Sequence, residues 1–425
     1  MGWADDRPFG IAKSSAITTA LLITLPFPKN QRMSSHPKLA DVVIVGSGVM
    51  GAATAWWLTR LQPGLKVTLV ESDTRYEKAS SSLSASSIRQ QFTCPVNIRL
   101  SQYGIAFLRE AEQHLGLPDH PVTLGLQEPG YLYLAQPKQA AAMQTAHQIQ
   151  KQAGADVALI GPEALRQRYP WLNVDDVVLG SLGLSGEGWF DGPALHQAFL
   201  KKAMTQGVQR LHDRVVGLDH TANQLTAVRL ANGGSLPCGQ VVNAAGPWAG
   251  EVAAMAGVQL PIEAARRTVF VLSCPEPLPQ CPLLIDPSGW WLRPEGRFLI
   301  SGAEPLHTEP NLPLEPDWAE WNDEQWASLA HRIPALAALR VERAWAGYYE
   351  MNTFDHNAVI GPHPTLRNLY FINGFSGHGM QHAAGAGLAL AEWMLLGQAQ
   401  TIDVQELGFE RLIKNRPLRE LAVIG

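Results

Sequence analysis

An apolar run enters a glycine-rich turn at Asp41-Val42-Val43-Ile44-Val45-Gly46-Ser47-Gly48-Val49-Met50-Gly51. The run has the texture of a buried strand, and the alanines at 52, 53 and 55 open a helix straight after it. The three glycines have separate duties. Gly46 permits the tight turn, Gly48 lets a pyrophosphate approach the backbone, and Gly51 lets helix and strand pack closely. The first N–H groups of the helix, with its dipole behind them, bind phosphate together with Ser47, Val49 and Met50. Twenty positions past Gly51, Glu71 ends the next apolar stretch, Leu65-Lys66-Val67-Thr68-Leu69-Val70. A carboxylate there accepts hydrogen bonds from ribose hydroxyls and repels a 2′-phosphate. Strand, turn, helix and acid in this order point to a dinucleotide-binding parallel sheet.

The rest of the chain is large enough to surround such a sheet. Its 425 residues predict two or three compact units, and 46% hydrophobic against 17% charged residues exclude general disorder. A net charge of −5 argues against a duplex-coating nucleic-acid binder. The four cysteines, Cys94, Cys238, Cys274 and Cys281, form no CxxC pair, so a zinc ribbon or a disulfide scaffold is not expected. His378 and His382 stand four apart, but no HExxH motif or nearby acid completes a site, and no metal is predicted. The absence of GxSxG removes the α/β-hydrolase elbow.

Residues 1–40 differ from the rest. Their one apolar run, 16–27, is 12 residues long, short of the roughly 20 that a membrane span needs. With Met33 just before the core, residues 1–32 read as an upstream extension dispensable for folding. A cytoplasmic protein without a membrane span is expected. A mitochondrial presequence is the alternative, weakened by Asp5 and Asp6.

Strand-like stretches recur at 42–45, 66–70, 240–242, 269–272 and 369–372, and the alternation between about 263 and 305 reads as an antiparallel sheet. The predicted class is therefore mixed α/β, a Rossmann-like nucleotide-binding domain with an inserted antiparallel-sheet domain. Two later strands also run into small-residue turns. One is Gln240-Val241-Val242-Asn243-Ala244-Ala245-Gly246, and the other is Leu369 to Asn373 followed by Gly374-Phe375-Ser376-Gly377-His378-Gly379-Met380-Gln381. An apolar helix from about 379 to 396 follows the second. A chain that returns to its nucleotide this late favours FAD over a nicotinamide cofactor.

Together with Ala79-Ser80-Ser81-Ser82-Leu83-Ser84-Ala85-Ser86-Ser87-Ile88-Arg89-Gln90-Gln91-Phe92, Gly246-Pro247-Trp248-Ala249 and Trp345-Ala-Gly-Tyr348-Tyr349-Glu350-Met-Asn-Thr-Phe-Asp-His-Asn357, these motifs resemble the D-amino-acid-oxidase-like FAD-dependent oxidoreductases, in their sarcosine oxidase and dimethylglycine dehydrogenase branch. The resemblance runs from Asp41 to the C-terminus. It implies an FAD domain built from 41–115, 178–262 and 344–425, and a substrate domain from 116–177 and 263–343. It places Gly46, Gly48, Val49, Met50 and Glu71 on the ADP half, and the backbone of Val215 or Val216 on adenine. Ser80, Ser81 and Ser82 would lie along the pyrophosphate and ring edge, with Ala245 and Gly246 beside the cofactor. Gly377, His378, Gly379, Met380 and Gln381 would face the flavin pyrimidine, where a helix N-terminus favours negative charge. Trp290 and Trp291 are equally open to roofing the flavin or packing a sheet.

The activity implied is oxidation of the C–N bond of an amino acid or N-alkyl amino acid, by hydride transfer to flavin N5. Arg89, His378 and Gln381 are the candidate catalytic residues. In relatives the arginine matching Arg89 binds the substrate carboxylate bidentately, a task guanidinium geometry suits, whereas a lysine stands where this chain has Gln381. Relatives that tether their flavin use a cysteine near Tyr348 or a histidine near Ser84, so FAD is expected to be held non-covalently. Ile300 aligns with the lysine that promotes reaction with oxygen in oxidase relatives, which favours a dehydrogenase and leaves the electron acceptor open. Residues 88–92 and 400–403 are also similar to a mitochondrial group of FAD-dependent oxidoreductase-domain proteins linked to complex I assembly. A flavin-binding assembly factor without turnover is therefore the alternative.

Overall fold

The strand Ala40–Val45 is apolar at nearly every position and buried on both faces, as a central parallel strand requires. The computed structural model describes residues 40–421, and the proposed extension at 1–32 lies outside them. Ala40–Val45 pairs in parallel with Val67–Glu71 on one side and Ser235–Asn243 on the other, with Val45 opposite Val70 and Asn243. The path of this first sheet runs Val359–Pro362, Leu369–Asn373, Ser235–Asn243, Ala40–Val45, Val67–Glu71, Gln209–His212. Val215–Thr221 and Gln224–Leu230 extend it through antiparallel pairing onto Ser235–Asn243.

Helices Val49–Leu61, Gly192–Thr205 and Gly379–Leu396 share one apolar core with this sheet. The small residues of the last helix have a steric reason. A Cβ on Gly387 would stand 3.0 Å from that of Ala53, so the loop helix Val49–Leu61 and the closing helix Gly379–Leu396 touch at backbone distance. Gly397, at φ +84°, ends the closing helix in the left-handed conformation.

The second sheet runs Arg340–Asn352, Ile262–Ser273, Phe298–Gly302, Trp291–Glu295, Leu283–Ile285, Tyr131–Ala135, Leu179–Gly183, Val157–Ile160. Every pair is antiparallel except Leu283–Ile285 with Tyr131–Ala135. Leu179–Gly183 and Arg340–Asn352 hydrogen-bond here, although residues 178–183 and 344–352 were grouped with the FAD domain from sequence. Residues 344–352 join this sheet through the longest pairing, from Ile262 opposite Asn352 to Ser273 opposite Arg340, and Leu179–Gly183 joins it between Tyr131–Ala135 and Val157–Ile160. One continuous strand carries residues 347–350 from the second sheet to the edge of the nucleotide site. No helix among the described residues is long and apolar enough to cross a membrane.

Candidate functional site

The site begins where the parallel strands end. Gly46 has φ +96°, and a Cβ on it would fall 2.4 Å from the carbonyl oxygen of Ala244 and 3.0 Å from Cα of Ala245. A Cβ on Gly51 would fall 2.0 Å from the carbonyl oxygen of Gly46. These two glycines serve the chain's own packing. Gly48 is different: it precedes the loop helix at φ −60°, and its Cβ would meet only Ser81 Oγ at 3.5 Å. Its missing side chain leaves room for a ligand. Gly246, at φ +56°, opens a short 3-10 turn beside Ala245, with nothing where a Cβ would stand.

Glu71 braces this turn. Its Oε2 accepts the Ser47 N–H at 2.8 Å and the Ser47 hydroxyl at 3.2 Å, while Oε1 accepts the Asp73 N–H. Ser47 Oγ is also 2.7 Å from the Tyr76 hydroxyl, and His196 Nε2 donates to the Ser47 carbonyl at 2.8 Å. Burial pushes His196 down to about 4, so its ring is neutral. Tyr76 and His196 went unnoticed in the sequence because nothing in its pattern ties positions 76 and 196 to position 47. Val215 packs with Val45 and Val70 in a buried cluster, whereas Val216 is exposed.

Beyond the turn lies a cavity of about 430 Å³. Val49 and Met50 of the loop helix, Ser80 and Ser81 of the short helix Ser80–Leu83, and Gly377, Gly379 and Met380 of the closing turn line it. Ser82 does not. The Ser80 and Ser81 hydroxyls are buried with no partner in the chain. A buried polar group left unpaired costs about 1–3 kcal/mol, so these hydroxyls fit a ligand that completes them. Two helix N-termini and an open Gly48 beside them suit a dinucleotide phosphate and a flavin edge. Trp291 lines the cavity, while Trp290 is buried in the core of the second sheet and donates to Ser328 Oγ at 2.9 Å.

Gly377 has φ +98°, and a Cβ there would stand 2.6 Å from the Tyr349 ring. His378, the N-cap of the closing helix, and Gln381 in its first turn stand three apart, and neither lines the cavity. They grip Arg89. Gln381 Oε1 accepts the Arg89 backbone N–H at 2.8 Å, and His378 Nε2 lies 3.2 Å from Arg89 Nη2. Burial first, then the charge of Arg89, holds His378 well below its ordinary value, so the neutral ring accepts from the guanidinium. The guanidinium stands over the rings of Phe92 and Tyr131, 4.7 and 6.0 Å from their centroids. Burial opposes its charge, but Tyr133, Tyr131, Glu420 and Tyr349 outweigh that and leave its pKa raised. Arg89, His378 and Gln381 therefore form one cluster, and none of them is on the cavity wall. Gln381 is spent on the Arg89 backbone and does not face the cavity as expected.

The wall carries residues the sequence reading did not select: Arg267, Tyr349, Glu350 and His356. Arg267 is the one Arg or Lys among the described lining residues, and its guanidinium lies 4.9 Å from the Tyr349 ring centroid. The segment 345–357 stands out as a motif, but an edge strand of the second sheet that runs on to the cavity gives no periodicity that says which side chains reach the ligand. Ile300 is buried among Val269 and Val271, with Ala85 and Trp291 against the same cluster. No group of three His, Cys, Asp or Glu among the described residues could hold a metal ion.

A parallel sheet ending in a glycine turn, a cavity between two helix N-termini and an antiparallel sheet that closes it define a two-sheet dinucleotide-binding oxidoreductase. The chain belongs to the D-amino-acid-oxidase (DAO) family of FAD-dependent oxidoreductases, whose family model matches residues 41–393. It is 38% identical over 426 residues to FAD-dependent oxidoreductase domain-containing protein 1 of Xenopus laevis, covering 91% of this chain and 85% of that protein. It is 26% identical to mouse mitochondrial sarcosine dehydrogenase, covering 86% of this chain and 40% of that longer protein. Among solved structures, L-proline dehydrogenase from P. horikoshii superposes with a TM-score of 0.80 at 26% identity, covering 90% of this chain and all 100% of the other.

Proposed function

We propose that this FAD-dependent oxidoreductase oxidises the C–N bond of an amino acid or N-alkyl amino acid. The observation that carries the reading is the cavity itself, whose unpaired Ser80 and Ser81 hydroxyls meet a wall of Trp291, Tyr348, Tyr349 and Arg267. The chemistry that FAD would supply when bound is two-electron oxidation of the amine C–N bond to an imine, which water hydrolyses. The chain's part is to bind and orient. Val49, Met50 and the glycine turn hold the phosphates, and the first turn of the closing helix meets the ring edge. Arg89, anchored by His378 and Gln381, is the proposed cation of the substrate side, and Arg267 is a second cation already on the wall. The names of the sarcosine and L-proline dehydrogenases support a small secondary-amine or amino-acid substrate.

Two finer features follow. FAD is held without a covalent bond, since neither Tyr348 nor Ser84 can form the thioether or imidazole link and no cysteine is among the described lining residues. Acid precipitation should release all the flavin, and a yellow pellet would defeat the point. The enzyme is a dehydrogenase more than an oxidase, because Ile300 sits in an apolar cluster and the neighbouring Arg293 is engaged by Glu295 and the Ala85 carbonyl. Reoxidation by dioxygen in stopped flow should be slow.

The deciding experiment is an anaerobic screen of amino acids and N-methyl amino acids against the holoprotein, reading loss of the flavin's visible absorbance and turnover with an artificial acceptor. A second reading, a flavin-binding assembly partner of a respiratory complex without turnover, draws on the enclosure of Arg89 between His378, Phe92 and Tyr131. No bleaching by any amine would favour it.

A further inference from the structure

The cavity wall carries two carboxyl groups that the roles above leave unused, the exposed Glu304 and the buried Glu350. Glu350 comes from the strand Arg340–Asn352, is 9% exposed, and lines the cavity beside the first turn of the closing helix. Its Oε1 lies 3.3 Å from the point that a Cβ on Gly379 would occupy. The backbone N–H groups of Gly374 and Phe375 donate to the carboxyl, but Oε2 is buried with no partner in the chain. Burial pushes this carboxyl up to about 7, against the pull of those two N–H groups, and no charged side chain contributes.

The charged and titratable groups around it come from several elements: Glu304 lines the same cavity from the exposed stretch after Phe298–Gly302, and the Tyr348 hydroxyl donates to the Leu312 carbonyl. Arg267, from the strand Ile262–Ser273, lies against Tyr349; His378, at the cap of the closing helix, is turned to Arg89; His356 lines the same cavity from the turn after the strand. A lone carboxylate in such a site costs far more than a neutral acid, so the group keeps its proton until near neutrality. A neutral carboxyl is a donor in need of an acceptor, and the chain supplies none.

We propose that Glu350 holds bound FAD as a carboxylic acid, donating its proton in a hydrogen bond to a carbonyl oxygen of the isoalloxazine. The assignment rests on the cavity being the flavin site, as in the reading above. The polar edge of an isoalloxazine offers two carbonyl oxygens and one N–H, so an acid finds two acceptors there. An ionised Glu350 would find only the N–H, and would oppose the charge that the helix N-terminus favours at that edge. The two cases predict opposite slopes with pH. A donor must hold its proton for FAD to bind, so affinity falls as pH rises, by about tenfold per pH unit between the free and bound pKa values. An ionised acceptor would make affinity rise instead.

The test dilutes holoprotein into buffers between about pH 6 and 8.5 and measures released FAD by its fluorescence, giving a Kd at each pH. Oxidised FAD has no group of its own that titrates near neutrality. The wild type should lose affinity above neutrality, while Glu350→Gln, which keeps an N–H donor but cannot titrate, should bind as the wild type does at low pH and stay level. His356→Gln should keep the wild-type slope. A wild-type Kd that is level or tightens with pH overturns the proposal, even if the glutamine variant fails to fold. So does a Glu350→Gln slope equal to that of the wild type, or a slope abolished by His356→Gln alone. A purified protein that carries no FAD at all would instead refute the functional reading beneath it.

Discussion

The two regions that flank the cavity are made by different means. At the glycine turn, geometry is set by backbone and by missing side chains: Gly46 and Gly51 have no space for a Cβ, and Glu71 ties the Ser47 N–H to the end of the neighbouring strand. At the closing helix, geometry is set by side chains that meet from four distant stretches, with Arg89, Tyr131, Tyr349, His378 and Gln381 interlocked. The first kind of site tolerates no added atom. The second tolerates change one group at a time, and its substrate side can therefore diverge while its phosphate end stays fixed.

The sharpest break of that contrast lies within the turn itself. Gly51→Ala puts a Cβ 2.0 Å from the Gly46 carbonyl oxygen and 3.3 Å from Ile44 Cγ2, and overpacking of that kind should cost about 3 kcal/mol. Thermal melting should show a large fall in Tm, with colourless protein. Gly48→Ala, whose Cβ meets only Ser81 Oγ at 3.5 Å, should fold normally and lose FAD affinity. A Gly51→Ala protein as stable as the wild type, or a Gly48→Ala protein with unchanged affinity, would erase the difference between packing glycines and ligand glycines.

The same contrast explains what was legible in the sequence. The strand Ala40–Val45, the turn, the loop helix and Glu71 were readable because period and spacing alone dictate them, and the closing helix because its small residues and Gly397 mark its face and end. The antiparallel strands between 262 and 302 also followed from alternation. Which residues face the ligand did not follow. The resemblance put Gln381 and His378 beside the flavin, but their side chains engage Arg89. Glu350 was missed, and Arg267 was readable only as a cation of the substrate domain, because their exposure to the cavity depends on the pairing of two strands of the second sheet that lie about eighty residues apart in the chain.

The closing end should respond to loss of a single side chain. His378→Leu removes the acceptor that Arg89 Nη2 uses at 3.2 Å, leaving a buried guanidinium short of one partner. A charge-assisted bond of this kind is worth about 2 kcal/mol, so Tm should drop moderately while FAD remains bound. His378→Gln, which retains an acceptor, should recover much of the loss. An unchanged Tm in His378→Leu would mean that the guanidinium is held by its aromatic neighbours alone.

The smallest effect is a slope with pH, and it returns to the turn. His196 supports the Ser47 carbonyl, and burial depresses it to about 4 in the folded protein, against about 6.5 when unfolded. Between those values the unfolded chain holds a proton that the native ring refuses, so His196 lowers stability as pH falls through this window and has no effect above it. Glu187 acts in the opposite sense. Burial raises it to about 7 despite donors from Gln90, Gln91 and Tyr131, so across the same window the native state holds a proton that the unfolded chain has released. His196→Gln keeps an N–H for the Ser47 carbonyl and removes only the titration. Its stability should therefore fall less steeply than that of the wild type on acidification from about pH 6 to 4.5, by about 1.4 kcal/mol per pH unit. Parallel profiles for the two proteins in urea melts would show that the ring accepts its proton without disturbing the turn.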